Sequence, residues 1–82
     1  MTDYQAVDCD LHSEYELLIM QRRKIQLCWQ DDAGAIHTEA VLPLDLRSRS
    51  GEEFMIFSTG PEAECEVRLD RIRSFSMIHN HR

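Results

Sequence analysis

From Lys24 onward the apolar residues of this chain recur at every second position, and that period of two decides most of what it can fold into. Ile25, Leu27 and Trp29 alternate with Lys24, Gln26, Cys28 and Gln30, the pattern of a half-buried strand. The "DDAG" of Asp31–Gly34 reads as a turn, which makes a hairpin with "AIHTEAVL", a second strand carrying Ile36, Thr38, Ala40 and Leu42 on one face. "PLDLRSRSGE" contains Pro43 and a serine- and glycine-bearing break, so it reads as a loop with one strand-like piece. "EFMIFS", Glu53–Ser58, is a near-continuous apolar run, as a central strand requires. After the turn "TGPEAE", "CEVRL" directs Cys65, Val67 and Leu69 inward. "DRIRSFSM" then supplies a short last strand with Ile72 and Phe75, beyond a kink near Asp70.

One segment breaks this rhythm. In "LHSEYELLIMQRR", Leu11, Tyr15, Leu18, Ile19 and Arg22 fall at helical spacing. Ser13 and Glu16 form an S-x-x-E capping box, and Arg22, Arg23 and Lys24 follow at the end that the helix dipole prefers for cations. One helix followed by about five short strands, in 82 residues, predicts a single domain over 1–82. The expected fold class is mainly β with one N-terminal α-helix, a strongly bent five-stranded sheet or small barrel with the helix over one end. Barrel closure would hide the sheet edges. Residues 1–10 are expected to be extended, pinned by Tyr4 and Val7, and residues 77–82 to form a flexible tail.

Fifteen acidic residues oppose nine basic ones, a net charge of −6. That balance argues against non-specific nucleic-acid binding, which rests on neutralising phosphates, and suits either plain solubility or a basic partner. The three cysteines, Cys9, Cys28 and Cys65, are odd in number and widely spaced, which disfavours a disulfide framework or a structural zinc site. "MTDYQAVDCD" has neither a basic start nor an apolar run, and no membrane-spanning length occurs, so a cytoplasmic protein with reduced thiols is expected.

No catalytic motif is present, so the chain is not expected to be an enzyme or to need a cofactor. His79 and His81 lack the further ligands a metal site wants. Cys9 and His12 have ligand-like spacing but no complementary pair elsewhere, and Cys9 is expected to pack as a small apolar side chain. Glu14 and Glu16 lie two apart on the helix and do not face one another, which removes a general acid–base pair. The stretch "DCDLHSEYE" is then a helix entrance rich in acids rather than a reactive centre. The basic spots Arg47–Ser50 and Arg68, Arg71, Arg73 keep an Sm-like RNA-binding module in view, but few aromatics remain for base stacking.

Three segments together resemble the bacterial Rho-binding antiterminator family, also called Rof or YaeO: "YQAVDCDLHSEYEL" at the start, "SRSGEEFMIF" in the middle and "VRLDRIRSFS" at the close. The likeness runs from about Tyr4 to Ser76. Ala6, Val7, Leu11, His12, Ser13 and Tyr15 depart from the family's usual residues, which leaves fewer negative charges at the helix entrance. The resemblance implies an Sm-like fold: a helix followed by a small, strongly bent five-stranded barrel. It implies an inhibitor of Rho-dependent transcription termination that docks on the N-terminal RNA-binding domain of the termination factor Rho and blocks RNA at its primary site. Carried over by position, Asp10 and Glu16 match the family's acids and Arg49 its serine–arginine loop, and Asp8 and Glu14 add charge nearby. The partner expected is therefore the Rho protein, with no direct binding to nucleic acid or membrane, no metal, and a monomer when free. An RNA-binding module or an adaptor for another protein are the alternatives.

Overall fold

The computed structural model describes residues 7–78. Helix α1 spans Cys9–Gln21, followed by strands β1 (Ile25–Gln30), β2 (Ile36–Arg49), β3 (Glu52–Gly60) and β4 (Ala63–Arg68), a 3-10 turn at Leu69–Arg71, and β5 (Ile72–Met77). All strand pairs are antiparallel, in the order β4-β3-β2-β1-β5. The fold is mainly β with one N-terminal helix, as the periodicity requires.

The sheet is strongly curled, and the connection between β4 and β5 shows why. These strands are joined by three residues yet lie at opposite edges. Four strand spacings in a flat sheet amount to about 19 Å, whereas the four Cα steps from Arg68 to Ile72 can cover at most about 14 Å even when fully extended. A 3-10 turn covers less. The edges must therefore approach each other at this corner. Strand β2 supplies part of the bend. Its first half pairs with β1, its second half with β3, and the register slips between Pro43 and Asp45. The expected closure into a barrel is not met: the turn at Leu69–Arg71 leads the chain away from β4 to pair with β1, and β4 and β5 remain the two edges.

Several sequence expectations change in detail. Pro43 sits inside one 14-residue strand rather than in a loop. It is buried at the place where β2 exchanges partners, where a missing N–H costs the ladder little. Arg49 and Glu52 close a two-residue hairpin in which Ser50 (φ 53°) and Gly51 (φ 80°) both take left-handed backbone, the type I′ pattern that suits strand twist. The face of β2 holding Ile36, Thr38 and Ala40 is the outward one, while Val41 and Pro43 point inward. Cys65 is exposed on the edge strand, although Val67 and Leu69 are buried as expected.

The core is one cluster of Tyr15 and Leu18 from α1 with Ile25, Leu27, Val41, Met55, Phe57, Val67 and Leu69. The Tyr15 ring meets that of Phe75 on β5, with centroids 5.7 Å apart. Burial first, and then the Glu14 carboxylate, push the Tyr15 hydroxyl up to about 12. The unfolded chain releases this proton near pH 10 while the folded one keeps it, so folding stability is full below about pH 10 and falls as pH rises towards 12. The loss is about 2–3 kcal/mol across that window. Stability measured by urea melts at pH 9 and pH 11.5 should show this drop in the wild type and much less of it in Tyr15→Phe; equal drops in both would assign it elsewhere.

Helix α1 begins two residues earlier than its apolar pattern suggested, so Cys9 and Asp10 are helical rather than extended. Asp8, not Ser13, is the N-cap. Its backbone is extended (φ −73°, ψ 165°) and its Oδ1 accepts from the Leu11 N–H at 2.9 Å. The box at Ser13 and Glu16 fails because a stronger cap lies upstream and Ser13 is already inside the helix. At the other end the Arg22 N–H donates to the Ile19 carbonyl and the Arg23 N–H to that of Leu18, with Arg22 in left-handed backbone (φ 55°). This is the Schellman closure. Asp8→Ala is expected to cost about 1 kcal/mol of stability, Asp8→Asn very little and Ser13→Ala close to nothing. Thermal melts of the three variants rank them, and a larger loss in Ser13→Ala than in Asp8→Ala would return the cap to Ser13.

Candidate partner-binding surface

Of the residues marked by sequence, Asp8, Asp10, Glu14 and Glu16 are all exposed on or beside α1. At about 100° per residue, Asp10 and Glu14 lie on one flank of the solvent face and Glu16 on the other. Asp8 divides its carboxylate between the cap and solvent. The Glu16 carboxylate is 3.8 Å from the His12 imidazole, whose other nitrogen is 3.4 Å from Glu53 of β3. When protonated, His12 therefore ties the helix to the sheet. The spacing of His12 and Glu16, four apart, was a readable signal for half of this bridge. Cys9, expected in the core, is exposed in the first turn, because the helix face at that position turns outward.

Arg49 does not join these acids. It faces Glu66 across β3 and donates two hydrogen bonds to that carboxylate, both 2.8 Å. Its guanidinium lies 4.3 Å from the Phe54 ring centroid. The pair holds the Glu66 carboxyl below the usual range and the Arg49 guanidinium above it, in both cases first through the hydrogen bonds. Successive strand residues alternate faces, so Arg49 and its partner Glu52 point to one side of the hairpin and Glu53, in contact with the helix, to the other.

The side that Arg49 occupies forms an open cleft of about 380 Å³ bordered by Arg49, Arg68 and Arg71. Each of these arginines meets a carboxylate. Arg68 donates to Asp70 at 2.6 and 2.9 Å, and Arg71 lies 3.6 Å from Asp32 and donates to the Asp31 carbonyl at 3.1 Å. The Asp31 carboxylate organises the β1–β2 turn, accepting from the Ala33 and Ala35 N–H groups at 2.9 Å and contacting His37 at 2.7 Å. Those bonds, His37 first, hold it below the usual carboxylate range. The aromatic rings of the described residues are engaged as well: Trp29 stacks on His37 and meets Phe57 edge-on, Tyr15 meets Phe75, and Arg49 covers Phe54.

Over 92% of its length the chain superposes on part of proteasome accessory factor B/C (PafBC) of Arthrobacter aurescens, with a TM-score of 0.71 and 20% sequence identity. The shared part is 12% of the PafBC chain. This chain and that part of PafBC share a fold. No family model and no curated protein matches the sequence. Among the described residues no three histidine, cysteine, aspartate or glutamate side chains group as metal ligands would, and no helix is long and apolar enough to cross a membrane. Tyr4, His79 and His81 lie outside the described residues.

Two apolar residues, Leu17 and Met20, also stand on the solvent side of the helix. They are 51% and 77% exposed, three residues apart, in the middle of the solvent face between the flanking acids. Their positions on the helix wheel, away from Tyr15 and Leu18, could have marked them.

Proposed function

We propose that this chain inhibits Rho-dependent transcription termination by docking on the N-terminal RNA-binding domain of Rho and covering the primary RNA site, in the bacterial cytoplasm. The observation that carries this reading is the first of the three family-like segments. From Cys9 onward it lies in helix α1, whose solvent side offers Asp10, Glu14 and Glu16, with Asp8 exposed at the cap. A site built for single-stranded RNA is basic, and carboxylates held on a rigid helix can stand where phosphates would. Complementary charge of this kind speeds encounter and fixes orientation. Arg49 is a support of the hairpin through Glu66 in this reading, rather than a contact in its own right.

The direct test mixes purified Rho, labelled poly-C RNA and the domain, and follows RNA release by fluorescence anisotropy. RNA should leave Rho as the domain is added, and the domain alone should leave the RNA unbound. RNA that stays on Rho at saturating domain refutes the reading. Salt-sensitive binding of the RNA by the domain itself would favour the RNA-binding module instead.

A further inference from the structure

A groove of about 290 Å³ runs between α1 and β5, with Leu17, Leu18, Phe75 and Met77 as its apolar walls and Glu14 and Gln21 at its rim. That volume is at the lower limit of small-molecule sites, which span about 300–1,000 Å³, and its size suits a single large side chain. Leu17 belongs to both the groove and the exposed pair with Met20. The Leu17–Met20 stripe has Asp10 and Glu14 on one side and Glu16 on the other, and the groove opens beside Leu17 on the Glu14 side, so that apolar surface and carboxylates adjoin as at a docking surface with a charged rim. Glu14 at the rim opposes an acidic occupant and favours one with basic neighbours.

We infer that this groove receives an exposed aromatic or aliphatic side chain of the basic, RNA-binding face of Rho, with Leu17 and Met20 as the apolar anchors of the contact. The inference rests on the function proposed above and adds to it the chemistry of the contact. A surface made for unpaired bases presents stacking platforms among its cations, and the helix offers an apolar stripe set among carboxylates. The carboxylates replace phosphates and the Leu17–Met20 stripe covers the platform that a base would occupy.

The test compares the wild type with Leu17→Gln/Met20→Gln, a pair that keeps good helix formers at exposed positions, after circular dichroism has shown the fold intact. Binding to purified Rho is measured by calorimetry at several salt concentrations. The double variant should bind at least about tenfold more weakly while keeping the wild-type salt dependence, because its acids are untouched. Equal affinity for variant and wild type overturns the inference and leaves the antitermination reading standing. A wild type that does not bind Rho at all overturns both. A free wild type that sediments as a dimer, with the double variant monomeric, assigns the groove to a second copy and also overturns it.

Discussion

Reversing the three helix carboxylates together, Asp10→Lys, Glu14→Lys and Glu16→Lys, is expected to weaken binding to Rho by about a hundredfold or more at moderate salt. Each reversal replaces an attraction with a repulsion, and charges at a partly desolvated contact are worth more than those on an open surface. The affinity that remains should lose most of its salt dependence. The triple change also moves the net charge from −6 to 0. A control with the same shift, Glu39→Lys, Glu62→Lys and Glu64→Lys, alters exposed positions outside the helix. It should bind nearly as the wild type does, apart from a slower association. If control and test variants weaken alike, binding depends on overall charge and not on the helix face. If neither weakens, carboxylate mimicry has no part in the contact.

Phe57→Ala should produce the largest loss of stability. Phe57 is fully buried in β3, an interior strand, and its ring meets Trp29 edge-on at 5.1 Å. Truncating a buried phenylalanine costs about 3–5 kcal/mol, and a domain of this size has only about 4–12 kcal/mol in all. The variant is therefore expected to be largely unfolded at 37 °C if the wild type is at the low end of that range, and to lose at least about a quarter of its urea midpoint if it is at the high end. Phe54→Ala, three residues earlier and only half-buried beneath Arg49, should cost about 1–2 kcal/mol. A loss below about 1.5 kcal/mol for Phe57→Ala would mean that the core is not packed around this ring.

The elements that could be read from sequence are those in which burial and periodicity agree. Ile25, Leu27 and Trp29 on β1, Met55–Phe57 on β3 and Tyr15 with Leu18 on α1 occupy the inward positions that their spacing assigns. The misreadings arise where a local rule met a tertiary one. Pro43 normally ends a strand, but at a register slip its missing N–H does no harm. Ser13 and Glu16 fit a capping box, but Asp8 reaches the open N–H groups first. Barrel closure depends on how the chain turns at Leu69–Arg71, and three residues carry no periodicity to read. Of the candidate surface, the acids were visible as composition. Arg49 matched a position, yet its partner Glu66 is seventeen residues away on another strand, a distance that no sequence pattern spans.

The strand order has a consequence for how the molecule comes together. Among the described residues each strand pairs with its neighbour in the chain, except that β5 returns to β1, placing Ile25 opposite Met77, 52 residues later. The β1–β4 meander can form by successive short hairpins, whereas the β1–β5 pairing must close a long loop and is the kinetically costly event. Phe75 and Met77 are on that last strand, so the groove beside α1 exists only in molecules that have completed closure. A ligand held there would act as a latch on the final step of folding, and amide exchange along Ile72–Met77 should slow on binding more than exchange in β3, giving the edge strand a protection it lacks alone.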